Sequence, residues 1–147
     1  MGKQLENTRV ALVEDQARLQ EAFAIRNEVF VLEQGVPEAD ELDEYESQSR
    51  HFIAYDTHNL PCGTARWRIT EAGVKLERFA VLKSHRGLGI GSALMVAILE
   101  DIEAREANKR LYLHAQVNAV GLYSKFGFKA LGDQFDECGI MHYKMIK

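Results

Sequence analysis

The chain is predicted to be a single α/β (α+β) domain built on a mixed, mostly antiparallel sheet, and three observations predict it. Its 147 residues are 46% hydrophobic and 27% charged with two prolines, a globular balance able to bury roughly 70% of the surface exposed when unfolded. Short β-prone runs separated by Asn, Pro and Gly lie between His51 and Leu82 and read as consecutive antiparallel strands. An apolar helix then separates the last of them from the strand Leu111–Ala115. That β-α-β order implies a right-handed crossover between two parallel strands. Residues 1–147 are read as one domain, without internal repeats.

The elements follow in order. Arg9–Val13 is a short strand, and Glu14 and Asp15 then place acidic groups where a helix dipole favours them. Leu19, Phe23, Arg26 and Phe30 fall at i, i+4, i+7 and i+11, with Ala22, Ile25 and Val29 beside them, so this helix is expected to bury a broad stripe before Gly35 and Pro37 end it. Glu38 to Glu46 holds six of the chain's 22 acidic residues. The plain expectation is a solvated connection, and the sharper one an acidic rim that attracts an amine. His51–Tyr55 and Thr64–Thr70 form a hairpin around Asn59, Pro61 and Gly63, and a turn at Glu71–Gly73 leads into the strand Val74–Leu82. The helix from Ile90 to about Ala107 presents Leu94, Ile98 and Ile102 on one face. After Leu111–Ala115 come a short helix, Ala119–Phe126, ended by Gly127, and two strands, Phe128–Leu131 and Gly139–Ile146.

Several function classes are excluded or disfavoured. A net charge of −4 lacks the basic footprint of a nucleic-acid binder. Cys62 and Cys138 lie far apart with no CxxC, and five scattered histidines make no metal pattern, so free thiols and no metal are expected. The longest apolar run, Ile90–Leu99, falls well short of the roughly 20 residues that span a bilayer. The first ten residues show no export segment, and Glu6 stands where a myristoylation signal needs Ser or Thr. A cytoplasmic protein with no membrane partner is expected.

The most informative stretch runs from Leu76 to Leu99. A strand passes through Arg86-Gly87-Leu88-Gly89-Ile90-Gly91 into a helix, and the first amides of a helix lack internal partners and sit at the positive end of its dipole. Glycines there let an anion approach, so the turn is a phosphate cradle, with Arg86 expected to add positive charge. A P-loop is ruled out because no Lys-Ser or Lys-Thr follows the glycines, and a dinucleotide GxGxxG fails at its third glycine.

These residues resemble the Q/R-x-x-G-x-G/A pattern of the GCN5-related N-acetyltransferases, the GNAT superfamily. Ala119, Tyr123 and Gly127-Phe128 match that family's A-x-x-x-Y-x-x-x-G-F signature independently. IRNEVFVLEQGVP, His114-Ala115-Gln116 and ECGIMHYKM are similar to the bacterial ElaA/YjcF-like branch, and the resemblance covers nearly the whole chain. It implies a sheet with helices on both faces and a splayed parallel strand pair. It also implies acetyl-CoA (coenzyme A) as co-substrate, held by Phe79, Ala80 and Val81 along its arm and by Arg86, Gly87, Leu88, Gly89, Ile90, Gly91 and Ser92 at its pyrophosphate. Many members carry Asn where this chain has Gln116, whose amide offers the same groups on a longer arm.

The implied chemistry is acetyl transfer to the amine of a small molecule or peptide by direct attack in a ternary complex. Tyr123 takes the family's position for the group near the thioester sulfur, where its phenol could protonate the leaving thiolate. Glu77 and His114 are the candidate bases: strand alternation puts Glu77, Phe79 and Val81 on one face, and Tyr112, His114 and Gln116 on one face of the next strand. His142 and Glu137 are candidates for the acceptor pocket. The other readings at this stage are a non-catalytic acyl-CoA-binding or regulatory module and a nucleotide-binding domain of another kind. The acceptor and the oligomeric state, a homodimer included, stay open.

Overall fold

The computed structural model describes residues 8–147. The N-terminal residues on which the signal argument rested therefore lie largely outside the described part. Seven strands form one sheet: β1 (Arg9–Leu12), β2 (Arg50–Tyr55), β3 (Pro61–Thr70), β4 (Gly73–Val81), β5 (Leu111–Gln116), β6 (Lys129–Glu137) and β7 (Ile140–Ile146). Their order is β1-β2-β3-β4-β5-β7-β6, with β4–β5 the one parallel pair. β7 lies between β5 and β6 because the last hairpin folds back onto β5.

Helix α1 (Gln16–Arg26) starts where Asp15 caps it, its carboxylate accepting the Arg18 amide at 2.8 Å. The helix widens into a π-helical segment, Asn27–Glu33, which periodicity does not reveal. A single turn, α2 (Glu38–Glu41), follows; α3 (Ile90–Glu106) makes the crossover and α4 (Val120–Ser124) is a short helix after β5. On one face of the sheet α3 and α4 bury Leu94, Met95, Ile98, Ile102 and Tyr123 against Leu76, Leu113 and Met145. On the other, α1 and the π-helical segment bury Ile25, Val29 and Phe30 against Ile53, Tyr55 and Ala80. Helices thus cover both faces, although on the α1 side the half formed by β5, β7 and β6 stays open.

The hairpin turn differs from expectation. Asp56 accepts the amides of His58 and Leu60 and closes the turn around Asn59, while Pro61 and Gly63 already belong to β3. Gly63 is there because α3 docks its first residue on it: a Cβ would meet Ile90 Cγ2 at 2.9 Å.

Two features of β4 create the site. It pairs with β5 only at Val74, Lys75 and Leu76, opposite Leu111, Tyr112 and Leu113, and beyond Leu76 the two strands have no ladder. The edge of β4 from Glu77 to Val81 is therefore free on that side. The second feature is a bulge: Glu77 pairs with Arg66 and Ala80 with Thr64, so Arg78 and Phe79 together oppose Ala65, and Arg78 takes φ +59°. The extra residue resets the alternation, and Glu77 lies on the opposite face from Phe79 and Val81, which join Val74 and Leu76 in the α3 core. The expectation of one shared face for Glu77, Phe79 and Val81 is corrected accordingly.

Candidate active site

The splay opens a cleft of about 370 Å³ lined by Glu77, Phe79, His114, Gln116, Tyr123, Glu137 and His142 among others. Seven of the residues singled out from sequence thus share one cavity. The glycine turn lies outside it, at the N-terminus of α3.

At that turn the first helical bond runs from Ala93 N to Gly89 O at 3.0 Å. The amides of Ile90, Gly91 and Ser92 are left without an intrahelical acceptor. Gly87 and Gly89 have φ of +80° and +84°, a left-handed conformation that side chains with a Cβ adopt only with strain. The backbone therefore fits an anion. The Arg86 side chain does not add the free charge expected of it: Nη2 donates to Glu33 Oε1 at 2.6 Å and Nε to the Val81 carbonyl at 3.0 Å. It ties the turn to the end of the π-helical segment.

Tyr123 sits between Phe79 and Phe128, with ring centroids 5.5 and 6.5 Å away, both edge-on. It is 7% exposed, and its hydroxyl bonds no described residue. A buried hydroxyl without a partner is unusual in a folded protein. Burial pushes its pKa up, so the phenol keeps its proton at neutral pH.

Across the splay, His114 Nδ1 lies 3.0 Å from Glu137 Oε2, and the hydrogen bond it donates holds the Glu137 carboxyl below the usual range despite burial. That assignment leaves Nε2 of His114 with its lone pair free. His142 donates Nδ1–H to the Ile140 carbonyl at 2.7 Å and turns Nε2 towards Glu137 Oε1 at 3.8 Å. Phe135 stacks on His142 and packs edge-on to His114, at 5.9 and 5.0 Å. The predicted common face of Tyr112, His114 and Gln116 holds, since Leu113 and Ala115 between them enter the opposite core. Gln116 exchanges two amide hydrogen bonds with Gln34, at 2.9 and 3.2 Å, and so joins β5 to the end of the π-helical segment.

Glu77 has a different environment. Arg66 and Arg68 donate to its Oε1 at 2.9 and 2.7 Å, and Lys75 lies 3.2 Å from Oε2. Burial would raise its pKa, but the Arg68 bond and the charges of Arg66 and Lys75 outweigh that and bring it to about 2. The acidic connection belongs to the same network. Glu41, 4% exposed, accepts two bonds from Arg26 Nε at 3.0 and 3.1 Å, and Glu46 bridges Arg26 to Arg66 at 2.7 Å on each side. Arg78 and Arg66 both bond Asp43, at 3.2 and 2.8 Å. Half of the acidic run therefore anchors buried arginines, neither a solvated loop nor an open rim, while Glu38, Asp40 and Glu44 are exposed. Sequence reasoning missed Arg26 and Arg66 as structural charges, because Arg26 falls within the apolar stripe of α1 and Arg66 within a β-prone run. His51 closes the network from below, its Nε2 2.9 Å from the Glu46 carbonyl, and burial lowers its pKa. His85 bonds Asp56 at 2.8 Å, and both cysteines are free. Among the described residues no cluster could hold a metal ion, and no helix is long and apolar enough to cross a membrane.

Residues 12–147 match the model of the acetyltransferase (GNAT) domain family. The chain belongs to that family. It is 41% identical over 140 residues to the "uncharacterized N-acetyltransferase YjcF" of Bacillus subtilis, covering 95% of this chain and 99% of that one. It is 30% identical over 137 residues to the protein ElaA of Escherichia coli, covering 89% and 88% of the two, which places it in the ElaA/YjcF-like branch. Its fold superposes on an acyl-CoA N-acyltransferase from Pseudomonas aeruginosa with a TM-score of 0.84 at 25% identity, over 95% of this chain and 99% of the other. The chain is accordingly an acetyl-CoA-dependent N-acetyltransferase, and the splayed β4–β5 pair belongs to the acyltransferase fold.

Proposed function

We propose that this GNAT enzyme passes the acetyl group of acetyl-CoA directly to the amine of a small molecule or peptide held with it in the cleft. The observation that carries the reading is the buried hydroxyl of Tyr123, without a partner among the described residues, beside the open edge of β4. The backbone amides of Gly87 to Ser92, with the glycine conformations that expose them, suit the pyrophosphate. The free edge of β4 at Phe79, Ala80 and Val81 suits the amide-bearing arm, which would add to the sheet as an extra strand. When bound, the co-substrate supplies an activated acetyl thioester.

The chain's own groups then have separate tasks. Tyr123, kept protonated by burial, donates to the departing sulfur. His114, oriented by Glu137 through Nδ1, takes the proton of the attacking amine on Nε2. Glu77 is less suited to be the base, because its carboxylate is committed to three cations and its pKa of about 2 leaves little affinity for a proton. An amide of the bulged segment near Phe79 or Ala80 polarises the acetyl carbonyl.

The reading is tested by following thermal unfolding with acetyl-CoA, NAD and ATP. A ligand at one hundred times its Kd stabilises by about 2.7 kcal/mol, and acetyl-CoA alone is expected to do so. Stabilisation by ATP or NAD with none by acetyl-CoA would overturn it.

A further inference from the structure

The β3–β4 wall of the cleft carries arginines whose donors are only partly used by the described residues. Arg66, fully buried, spends all five of its N–H groups on Asp43, Glu46 and Glu77. Its neighbour Arg68 is different. Only Nε is used, on Glu77, while the side chain is 13% exposed and neither Nη group bonds a described residue. The guanidinium lies 3.8 Å over the Tyr45 ring, which fixes its plane. Arg78 repeats the pattern: Nε and Nη2 go to Glu41 and Asp43, and Nη1 has no described partner. Both arginines line the cleft.

The cations on this wall outnumber the carboxylates they bond directly. Arg26, Arg66, Arg68, Lys75 and Arg78 share four carboxylates, those of Glu41, Asp43, Glu46 and Glu77. Arg68 and Lys75 are direct cross-strand partners, and the Glu77 carboxylate, which takes Nε of Arg68 on Oε1 and faces Lys75 with Oε2, offsets their like charges and leaves the Nη edge of Arg68 unused. Of the other acids lining the cleft, Glu137 is bonded by His114 and also feels the charge of Lys75, and Asp40 is exposed. What stays unused among the described residues is the Nη edge of Arg68 and Nη1 of Arg78, and a fixed guanidinium fork of this kind suits a planar oxyanion, which it binds in bidentate fashion.

We infer that the acetyl acceptor is a small amine carrying a carboxylate on the same molecule: the carboxylate seats on the free Nη groups of Arg68 and Arg78, and the amino group faces His114 across the cleft. This inference rests on the acetyl-transfer reading, which supplies the amine. A cleft of about 370 Å³ suits a small molecule of this kind.

The experiment compares matched pairs, amino acids against the amines left on removing their carboxylate, by release of free CoA. The carboxylate-bearing member is expected to have the higher kcat/KM by about ten- to hundredfold, as for hydrogen bonds to charged groups. Arg68→Gln should erase the preference through KM, and Arg68→Lys, which keeps the charge and loses the fork, should retain part of it. Equal or better turnover of the amines lacking a carboxylate would overturn the inference, as would tighter use of an amine bearing a phosphate. Binding is read independently by calorimetry of the CoA-loaded protein with N-acetylated amino acids and the matching N-acetylated amines. Preference for the acids supports the inference even if no acceptor tried is acetylated, and equal affinity sinks it. Failure of acetyl-CoA to bind would instead sink the functional reading.

Discussion

The two walls of the cleft use the same kinds of residue for opposite ends. On the β3–β4 side, Glu77 and Asp43 are each held by several cations, and their pKa values are driven far down. On the β5–β7 side, Glu137 has one hydrogen bond from His114 and a looser approach from His142 at 3.8 Å. A carboxylate surrounded by arginines is a fixed strut, whereas one that holds a single imidazole sets that ring's orientation and leaves its other nitrogen free. Residue type alone made Glu77 and His114 equal candidates for the base. Their partners separate them.

If the comparison is right, the largest loss of activity on this face comes from the sparsely bonded wall. His114→Ala should lower kcat/KM by about 10²- to 10⁴-fold, the range for a positioned general base, with little change in melting temperature. Glu77→Gln should give the reverse pattern, and kinetics with unfolding curves on both variants would expose an exchange of roles.

Next in size is the cost of breaking the strut. Arg66→Met leaves Asp43, Glu46 and Glu77 short of a buried partner, and removing one member of a buried ion pair costs about 3–5 kcal/mol, readable by denaturant titration. A loss below about 1 kcal/mol, the scale of a surface pair, would contradict the burial of this network.

The smallest effect is the slope with pH. Glu77, Asp43 and Glu46 have folded pKa values below their unfolded ones. Their contribution is complete above the unfolded value of about 4 and is lost as pH falls towards about 2 for Glu77. Buried His51 adds an earlier loss, since its folded pKa is also lowered: the unfolded state takes up its proton first as pH drops below about 6.5. Melting temperature should therefore begin to decline near pH 6.5 and fall more steeply below 4.5. In Glu77→Gln the lower limb should flatten, and an unchanged limb would remove that carboxylate from the network.

Much of this was readable from local pattern. The glycine turn, the crossover, the capped start of α1 and the placement of Tyr123 all depend on residues close in sequence. What escaped depends on partners far apart or on backbone detail without a sequence marker. The bulge at Arg78 has no Gly, Pro or Asn to announce it, yet it moves Glu77 to the other face from Phe79. Arg26 meets Glu41 and Glu46 only once the connection folds under β3 and β4, so hydrophobic periodicity counted it into an apolar stripe. Likewise, the insertion of β7 between β5 and β6 brings Glu137 and His142 to His114, a proximity that linear order does not contain.

The central claim is that the splayed strands bring a protonated tyrosine to the leaving sulfur. The most direct measurement is the rate of free CoA release by Tyr123→Phe with the best acceptor found. The account predicts that kcat falls by about 10²-fold or more while the KM for acetyl-CoA and the melting temperature stay close to those of the unaltered protein. An unchanged kcat would contradict it.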